Sequence, residues 1–211
     1  MTELPVAATA PLGGPALKAW RANLRNVLVA RRMATSPEDR LRWGHCIDRH
    51  VDAILADVTD RIVGFCWPYR GEHDSRASVL RMLARGARAS LPVVVAPKTP
   101  LVFREWHAEV EMRDGAYGIP EPVGGTAATP DVVLLPANGF DEGGYRLGYG
   151  GGFFDRTMAS LDPRPLVIGI AFELARLPTI HPQPHDIPLD YVVTEAGAFR
   201  RGPRGLQPAD T

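Results

Sequence analysis

The most informative segment of the sequence is Arg146–Arg156, which reads RLGYGGGFFDR. The apolar run Val132–Leu135 comes before it, and the pattern after it predicts a helix from Phe153 to about Leu161. The stretch therefore takes a strand, loop and helix position. Glycine lets backbone N–H groups approach a ligand closely, and a helix N-terminus adds unpaired donors and a positive dipole. Together these features predict an anion site in an α/β protein.

Clustered glycines are also typical of turns and flexible links, so the loop alone leaves that alternative open. The flanking charges favour the anion site, because Arg146 suits phosphate oxygens and Asp155 suits a cation. The chain has no G-x-x-x-x-G-K-[ST] motif, and no G-x-G-x-x-G with the acidic partner of a dinucleotide site. Both common nucleotide folds are therefore disfavoured.

Composition indicates an ordinary globular protein of 211 residues, with 45% hydrophobic and 23% charged residues. Because 24 basic residues balance 24 acidic ones, no net field favours nucleic acid or an anionic membrane. The N-terminus lacks a signal-peptide pattern, no apolar run approaches a membrane span, and Cys46 and Cys66 form no C-x-x-C motif. We expect a cytoplasmic protein with small-molecule partners; the sequence leaves its oligomeric state open.

The domain prediction is a disordered segment over residues 1–14, one α/β domain over 15–200 and a flexible tail over 201–211. Two helices begin the domain, the second capped by Ser36 with Pro37 at its first position. Apolar runs then predict strands at residues 62–66, 91–95, 101–105, 132–135, 166–171 and 191–194. Strands that alternate with helices are typical of a three-layer αβα sandwich with a mostly parallel central sheet.

Three arginines of the first helix, Arg21, Arg25 and Arg32, are predicted on the face opposite its leucines. Such a face is usually solvated, and the alternative is that one or two of them reach a phosphate. Glu72 follows the first strand at its carboxyl end, where open α/β sheets bind ligands. It is either an acceptor for a polar ligand or an exposed turn carboxylate.

The proline-rich stretch His181–Asp190 has two histidines four residues apart, but its prolines exclude a helical metal pair. Asp186 or Asp190 could help to hold a cation. A lone aspartate in such a loop is more often a turn residue, so both interpretations stay open.

Five pieces in chain order resemble one family: R-A-N-L-R at residues 21–25, Glu72, G-I-P-E-P at 118–122, RLGYGGGFFDR, and H-D-I-P-L-D at 185–190. Over about residues 17–195 the chain resembles the 5-formyltetrahydrofolate cyclo-ligases, also called methenyltetrahydrofolate synthetases. The resemblance implies ATP, Mg²⁺ and a reduced folate, and a scaffold related to sugar-phosphate isomerases and CoA transferases. It implies that ATP phosphorylates the formyl oxygen, after which N10 attacks the formyl carbon and phosphate leaves.

The resemblance also implies a role for each matching position. Arg146 and Asp155 would be catalytic, and Asp155 and Asp186 would hold the metal. The implied ATP-binding residues are Arg21, Arg25, Arg146, Leu147, Gly148, Tyr149, Gly150, Gly151, Gly152, Phe153 and Phe154. The implied folate-binding residues are Trp67, Glu72, Tyr149, Gly150, Gly151, Gly152 and Phe153.

The chain departs from the family pattern at three places. Arg21 stands where the family usually has lysine, with Lys18 one helical turn earlier, and Phe154 stands where tyrosine is common. A glutamine often found after the strand at Ala171–Phe172 is missing. Two alternatives therefore stay open: an ATP-dependent enzyme for another N-formyl or amide substrate, and a non-catalytic module that binds folate or nucleotide.

Overall fold

A computed structural model of the chain describes residues 13–209, so residues 1–12 of the segment predicted to be disordered lie outside it. The helices are α1 (Gly14–Ala34), α2 (Pro37–Ile54), α3 (Arg76–Ala84) and α4 (Phe153–Ser160). The strands before α4 are β1 (Ile62–Phe65), β2 (Arg88–Val93), β3 (Val102–Trp106), β4 (Met112–Asp114), β5 (Pro120–Pro122), β6 (Val132–Pro136), β7 (Gly139–Asp141) and β8 (Arg146–Leu147). Those after it are β9 (Leu166–Ile170), β10 (Arg176–Leu177), β11 (Tyr191–Thr194), β12 (Gly197–Gly202) and β13 (Gly205–Pro208).

The start of α2 is formed as its sequence predicts. The Ser36 hydroxyl accepts a hydrogen bond from the Asp39 backbone N–H at 3.0 Å, and Pro37 occupies the first helical position. This cap satisfies a donor that has no partner inside the helix, while proline fixes φ where no N–H is needed. In α3, Met82 is fully buried, whereas Leu80 is exposed.

The main sheet has eight strands in the order β13-β12-β11-β9-β6-β1-β2-β3. The five central strands, from β11 to β2, are parallel to one another. β3 and the β12–β13 hairpin add antiparallel edges, so the α/β class is confirmed and the sheet is mixed. In the parallel centre, every strand ends at the same edge of the sheet.

Alternate residues of β6 pack on opposite faces of the sheet. Val132 and Leu134 join one apolar cluster with residues of α2 and α3, whereas Val133 and Leu135 join another with Met158 of α4. Side chains of a strand point alternately to its two faces, and an apolar run such as Val132–Leu135 therefore needs cover on both. The helices supply this cover as two outer layers around the sheet.

A second sheet, in the order β10-β7-β8, lies beside the first and packs on α1. Leu24 and Leu28 of α1 form an apolar cluster there with Leu147, Leu177 and Ile180. The glycine-rich loop follows β8, so it does not come directly after the buried strand β6. The short β7–β8 hairpin carries Arg146 away from that strand and holds the loop next to α1.

The flexible tail predicted from residue 201 is wrong for residues 201–208. β12 and β13 form an antiparallel hairpin at the edge of the main sheet, and the Leu206 N–H donates to the Glu142 carbonyl at 2.8 Å. Pro208 suggested disorder, but proline is tolerated in an edge strand because one side of that strand needs no ladder partner. Between residues 13 and 209, no helix combines the length and apolarity that crossing a membrane requires.

Candidate active site

The glycine-rich loop presents a row of free backbone donors. Among residues 13–209, no acceptor pairs with the N–H groups of residues 148–152. Gly150 and Gly152 have φ of +91° and +63°, in the left-handed region that favours glycine. Gly152 also precedes α4 as its N-cap, so the first amides of the helix continue the row. Unpaired amides next to a helix N-terminus form an anion site.

Arg146 and Asp155 face each other across this loop. Arg146 Nη2 lies 3.4 Å from Asp155 Oδ2, and the arginine side chain is only 6% exposed. Burial lowers the pKa of Arg146, although Asp155 opposes the shift. The other oxygen of Asp155, Oδ1, accepts from the Ile187 N–H at 3.2 Å. The catalytic pair that the resemblance implies is therefore assembled, and Asp155 touches the segment that carries Asp186.

Arg21 and Asp186 form a partly buried ion pair with a distance of 2.7 Å between Nη2 and Oδ2. Arg21 also donates to the Ile180 and His181 carbonyls, at 3.1 and 2.9 Å. Burial alone would raise the pKa of Asp186, but Arg21 and the Gln183 N–H outweigh it and lower the pKa. The structure thus joins an implied ATP ligand to an implied metal ligand, a contact that the sequence did not predict.

The arginines of α1 do not lie on a solvated face opposite the leucines, and that expectation is wrong. Arg25 Nε donates to the Gly148 carbonyl at 2.7 Å, and a methyl group added to Gly150 would lie 3.1 Å from Arg25 Cζ. Burial lowers the pKa of Arg25, with a further contribution from Arg21. Arg32 is 5% exposed. These arginines share the stripe of Leu24 and Leu28, because this part of α1 packs on polar loops.

Glu72 is a buried acceptor, so the alternative of an exposed turn carboxylate is wrong. Its side chain is 5% exposed, Oε2 accepts from the Tyr69 N–H at 3.0 Å, and Oε1 accepts from the Tyr149 hydroxyl at 3.0 Å. Burial raises the pKa of Glu72, although Arg32, with Nη2 3.8 Å from Oε1, opposes the shift. A buried carboxylate of this kind can bind a ligand that brings its own N–H donors.

Arg32 is a site residue to which sequence reasoning gave no specific role. It donates to the Arg70 carbonyl at 2.9 Å, to Asn138 Oδ1 at 3.0 Å and to the Tyr149 hydroxyl at 3.0 Å. The sequence does indicate that Arg32 faces inward, because it lies four residues after Leu28 on the same side of the helix. Asn138 was missed because nothing in the sequence around it indicates that it meets α1.

Some aromatic residues of the candidate site are exposed, and others pack into the protein. The Phe153 ring lies 6.3 Å from that of Tyr117, a 70% exposed residue of the β4–β5 hairpin, and the Arg156 guanidinium lies 5.4 Å from Phe153. Phe154 instead packs into the apolar cluster under α4, with Arg146 over its ring at 5.4 Å. Trp67 is partly buried beneath Arg76, whose guanidinium lies 4.4 Å from the indole.

A narrow cleft at the carboxyl ends of β1, β6 and β9 borders Glu72. Its lining includes Cys66, Leu134 and Ile170. Burial raises the pKa of the Cys66 thiol, which keeps the thiol protonated and apolar in character. The cleft therefore lies at the edge where open α/β sheets place their ligands.

In the described part of the chain, no three carboxylate, imidazole or thiol groups converge on one point as a metal cluster would. Magnesium in nucleotide enzymes usually takes one or two carboxylates and completes its shell with phosphate oxygens and water. Asp155 best fits that requirement, because its contact with Arg146 is long, at 3.4 Å. Asp186 accepts from the Gln183 N–H at 2.7 Å and pairs with Arg21, and Asp190 accepts from the Val167 N–H at 2.7 Å and pairs with Arg164. Each of these two carboxylates would have to lose a partner before it held a metal.

The family comparison matches residues 17–195 to the model of the 5-formyltetrahydrofolate cyclo-ligase family. A 5-formyltetrahydrofolate cyclo-ligase of Mus musculus is 35% identical over 195 residues, which cover 82% of this chain and 92% of the relative. One of Escherichia coli (strain K12) is 29% identical over 171 residues, which cover 78% of this chain and 94% of the relative.

Two solved structures share the fold. The NMR structure of Aquifex aeolicus 5,10-methenyltetrahydrofolate synthetase has a TM-score of 0.74 at 26% identity and covers 90% of this chain and 96% of its own. A 5,10-methenyltetrahydrofolate synthetase from Mycoplasma pneumoniae has a TM-score of 0.68 at 22% identity and covers 83% of this chain and 98% of its own. The second likeness bears on the fold alone.

Proposed function

The chain belongs to the 5-formyltetrahydrofolate cyclo-ligase family, and we propose that it converts 5-formyltetrahydrofolate to 5,10-methenyltetrahydrofolate with Mg²⁺ and ATP. The observation that carries the proposal is one loop that serves two half-sites. At one end, the free amides of residues 148–152 lie next to Arg146 and Asp155. At the other, Tyr149 of the same loop contacts the buried Glu72 carboxylate. This arrangement suits a reaction that joins a phosphate donor to a folate.

The chemistry needs positioned charges and no side-chain nucleophile. The formyl oxygen attacks the γ-phosphorus of ATP, so a phosphorus–oxygen bond forms to the formyl group while the one to ADP breaks. N10 then attacks the formyl carbon, and phosphate leaves with the former formyl oxygen. Arg146 and the loop amides would stabilise charge on the transferring group, as donors do in other phosphoryl transfers.

Asp155 is the carboxylate best placed to hold Mg²⁺ in this scheme, because its contact with Arg146 is long, at 3.4 Å, and its side chain is 21% exposed. Asp186 would join it once Arg21 transfers from the carboxylate to a phosphate oxygen. A guanidinium binds both groups through the same pair of N–H donors. The exchange would let Arg21 and Asp186 take the roles that the resemblance implies for them.

Formation of the methenyl product tests the function directly. Purified protein should generate the methenyl chromophore from 5-formyltetrahydrofolate only when Mg²⁺ and ATP are both present. The buried Glu72 carboxylate favours a folate, because a pterin brings N–H donors of its own. A folate that binds without product formation or ATP hydrolysis would favour the non-catalytic module instead.

The Asp155→Asn variant tests the metal assignment. We expect turnover to fall by about a hundredfold or more, because the amide cannot supply the negative oxygen that Mg²⁺ requires. Turnover and the Mg²⁺ dependence of ATP binding would be measured on both proteins. Asp57→Asn, at an exposed position of the loop after α2, is the matched control. Wild-type rates in Asp155→Asn would reject the assignment.

Three further expectations stay predictions of the same proposal. Arg25 would contact the nucleotide, and Trp67 and Phe153 would contact the folate. The scaffold would be related to sugar-phosphate isomerases and CoA transferases. The protein would act on small molecules in the cytoplasm.

A further inference from the structure

The Tyr149 hydroxyl is hydrogen-bonded to Glu72, the acceptor that a folate would need. The hydroxyl lies 3.0 Å from Glu72 Oε1 and 3.0 Å from Arg32 Nη2, so it donates to the carboxylate while it accepts from the guanidinium. Burial raises the pKa of Tyr149, which keeps the phenol protonated and able to donate. With the Tyr69 N–H on Oε2, both oxygens of Glu72 have a partner before any ligand arrives.

The same loop also forms a hydrogen bond with Arg25, which would contact the nucleotide. Arg25 Nε donates to the Gly148 carbonyl at 2.7 Å, and its guanidinium packs closely below Gly150. Tyr149 lies between these two glycines. In this arrangement, one segment of three residues therefore occupies one oxygen of Glu72 and the Nε–H of Arg25.

Few other contacts fix the loop among the described residues: Arg32 donates to the Tyr149 hydroxyl, and Arg156 donates to the Gly151 carbonyl. The Tyr149 residue is 46% exposed, and its ring meets Tyr69 edge-on at 5.6 Å between centroids. The backbone N–H groups of residues 148–152 make no hydrogen bond within residues 13–209. Glycine on both sides lets the peptide planes reorient with little steric resistance. The two contacts belong to adjacent residues, so a shift that moves the Tyr149 hydroxyl off Glu72 would also move the Gly148 carbonyl away from Arg25.

We propose that Tyr149 is a positioning residue whose hydroxyl occupies Glu72 until folate displaces it, which couples folate binding to nucleotide binding. This inference rests on the proposed function. Folate favours the displaced loop because it takes Glu72, and nucleotide favours it because it takes Arg25. Two ligands that favour the same state bind cooperatively, and each strengthens the other by the same factor.

The experiment measures this factor by calorimetry with 5-formyltetrahydrofolate and Mg²⁺-ADP, a pair that does not turn over. In the wild-type protein, saturating Mg²⁺-ADP should tighten folate binding by about tenfold, within the usual range for coupled sites. In Tyr149→Phe the folate should bind about tenfold more tightly without nucleotide, because Glu72 is left with an unsatisfied buried oxygen. Mg²⁺-ADP should then change folate affinity less than about twofold.

Tyr69→Phe is the matched control. It removes the hydroxyl of the adjoining ring, which makes no hydrogen bond among the described residues, and it should keep the wild-type coupling factor. If Mg²⁺-ADP tightens folate binding by the same factor in Tyr149→Phe as in the wild type, the inference is overturned. Weaker folate binding in Tyr149→Phe at every nucleotide concentration also overturns it, since the hydroxyl would then contact the folate itself. A wild-type protein that binds no folate overturns the proposed function as well.

Discussion

If Glu72 binds the folate as proposed, folate affinity should depend on pH in a predictable direction. Burial raises the pKa of Glu72 above the ordinary value of 4.5, and only the ionised carboxylate can accept two N–H donors from a ligand. Folate affinity should therefore weaken as the pH falls through this raised pKa, at a higher pH than a carboxyl with its ordinary pKa would titrate. The dissociation constant, measured by calorimetry at each pH, checks this.

The Glu72→Gln variant should bind folate weakly and with little pH dependence, whereas Glu109→Gln, at an exposed carboxylate, should follow the wild type. The contribution of Glu72 to stability changes with pH in the opposite direction from folate affinity. Since the folded protein binds the Glu72 proton more tightly than the unfolded chain, the contribution of Glu72 to the free energy of unfolding falls as pH rises from 4.5 to the raised pKa. A folate affinity that does not change with pH in the wild-type protein would contradict the role of Glu72.

At the residue scale, the sequence predicts those site residues that lie close together along the chain. Arg146, the glycines and Asp155 lie within ten residues, so local pattern alone brings them together. The pairing of Arg21 with Asp186 joins positions 165 residues apart and depends on how the segment around residue 180 folds onto α1. No local pattern encodes such a contact. Glu72 was found by its place after a strand, but its burial depends on Tyr149 and Arg32.

At the element scale, α1 depends on a buried arginine near its end. Arg32 donates to three acceptors and lies near Glu72. Arg32→Ala should lower the free energy of unfolding by about 3–5 kcal/mol, because it leaves the buried Glu72 charge without its cation. Urea denaturation followed by circular dichroism would measure the change.

Arg42→Ala provides the control for that variant. The Arg42 side chain is 70% exposed on α2 and, within residues 13–209, pairs only with Asp39 one turn earlier. Its loss should therefore change stability by less than about 0.5 kcal/mol. Equal effects of the two substitutions would show that Arg32 contributes no more than a surface charge. The predicted difference comes from burial, since both changes delete the same side chain from a helix.

The long elements were predictable because each carries its own signals. The Ser36 cap and the apolar runs at β1, β6 and β9 predicted those elements within a few residues. The β7–β8 hairpin was missed because its strands have only three and two residues, too few to show a period. Asp141 fixes that hairpin by accepting from the Gly143, Tyr145 and Ile180 N–H groups, and a single aspartate in a glycine-rich turn gives no such signal.

At the scale of the whole molecule, the β12–β13 hairpin is joined to the turn before Arg146, in the proposed nucleotide half-site. Gly205 lies at the start of β13 with φ of +89°, and a methyl group added there would collide with the Glu142 carbonyl. The Leu206 N–H donates to that same carbonyl. Glu142 and Gly143 form the turn that leads through Tyr145 to Arg146, so the sheet edge supports the position of Arg146.

Gly205→Ala should therefore affect both stability and the use of ATP. We expect a loss of about 1–3 kcal/mol in the free energy of unfolding, from backbone strain and the collision. The KM for ATP should rise several-fold, while the KM for folate should change less, because Glu72 is held by α1 and by the loop after β1. Arg204→Ala, at an exposed position in the same turn, should leave both KM values near those of the wild type. If Gly205→Ala lowers stability but leaves the KM for ATP unchanged, Arg146 keeps its position without the hairpin, and the β7–β8 turn alone determines the phosphate site.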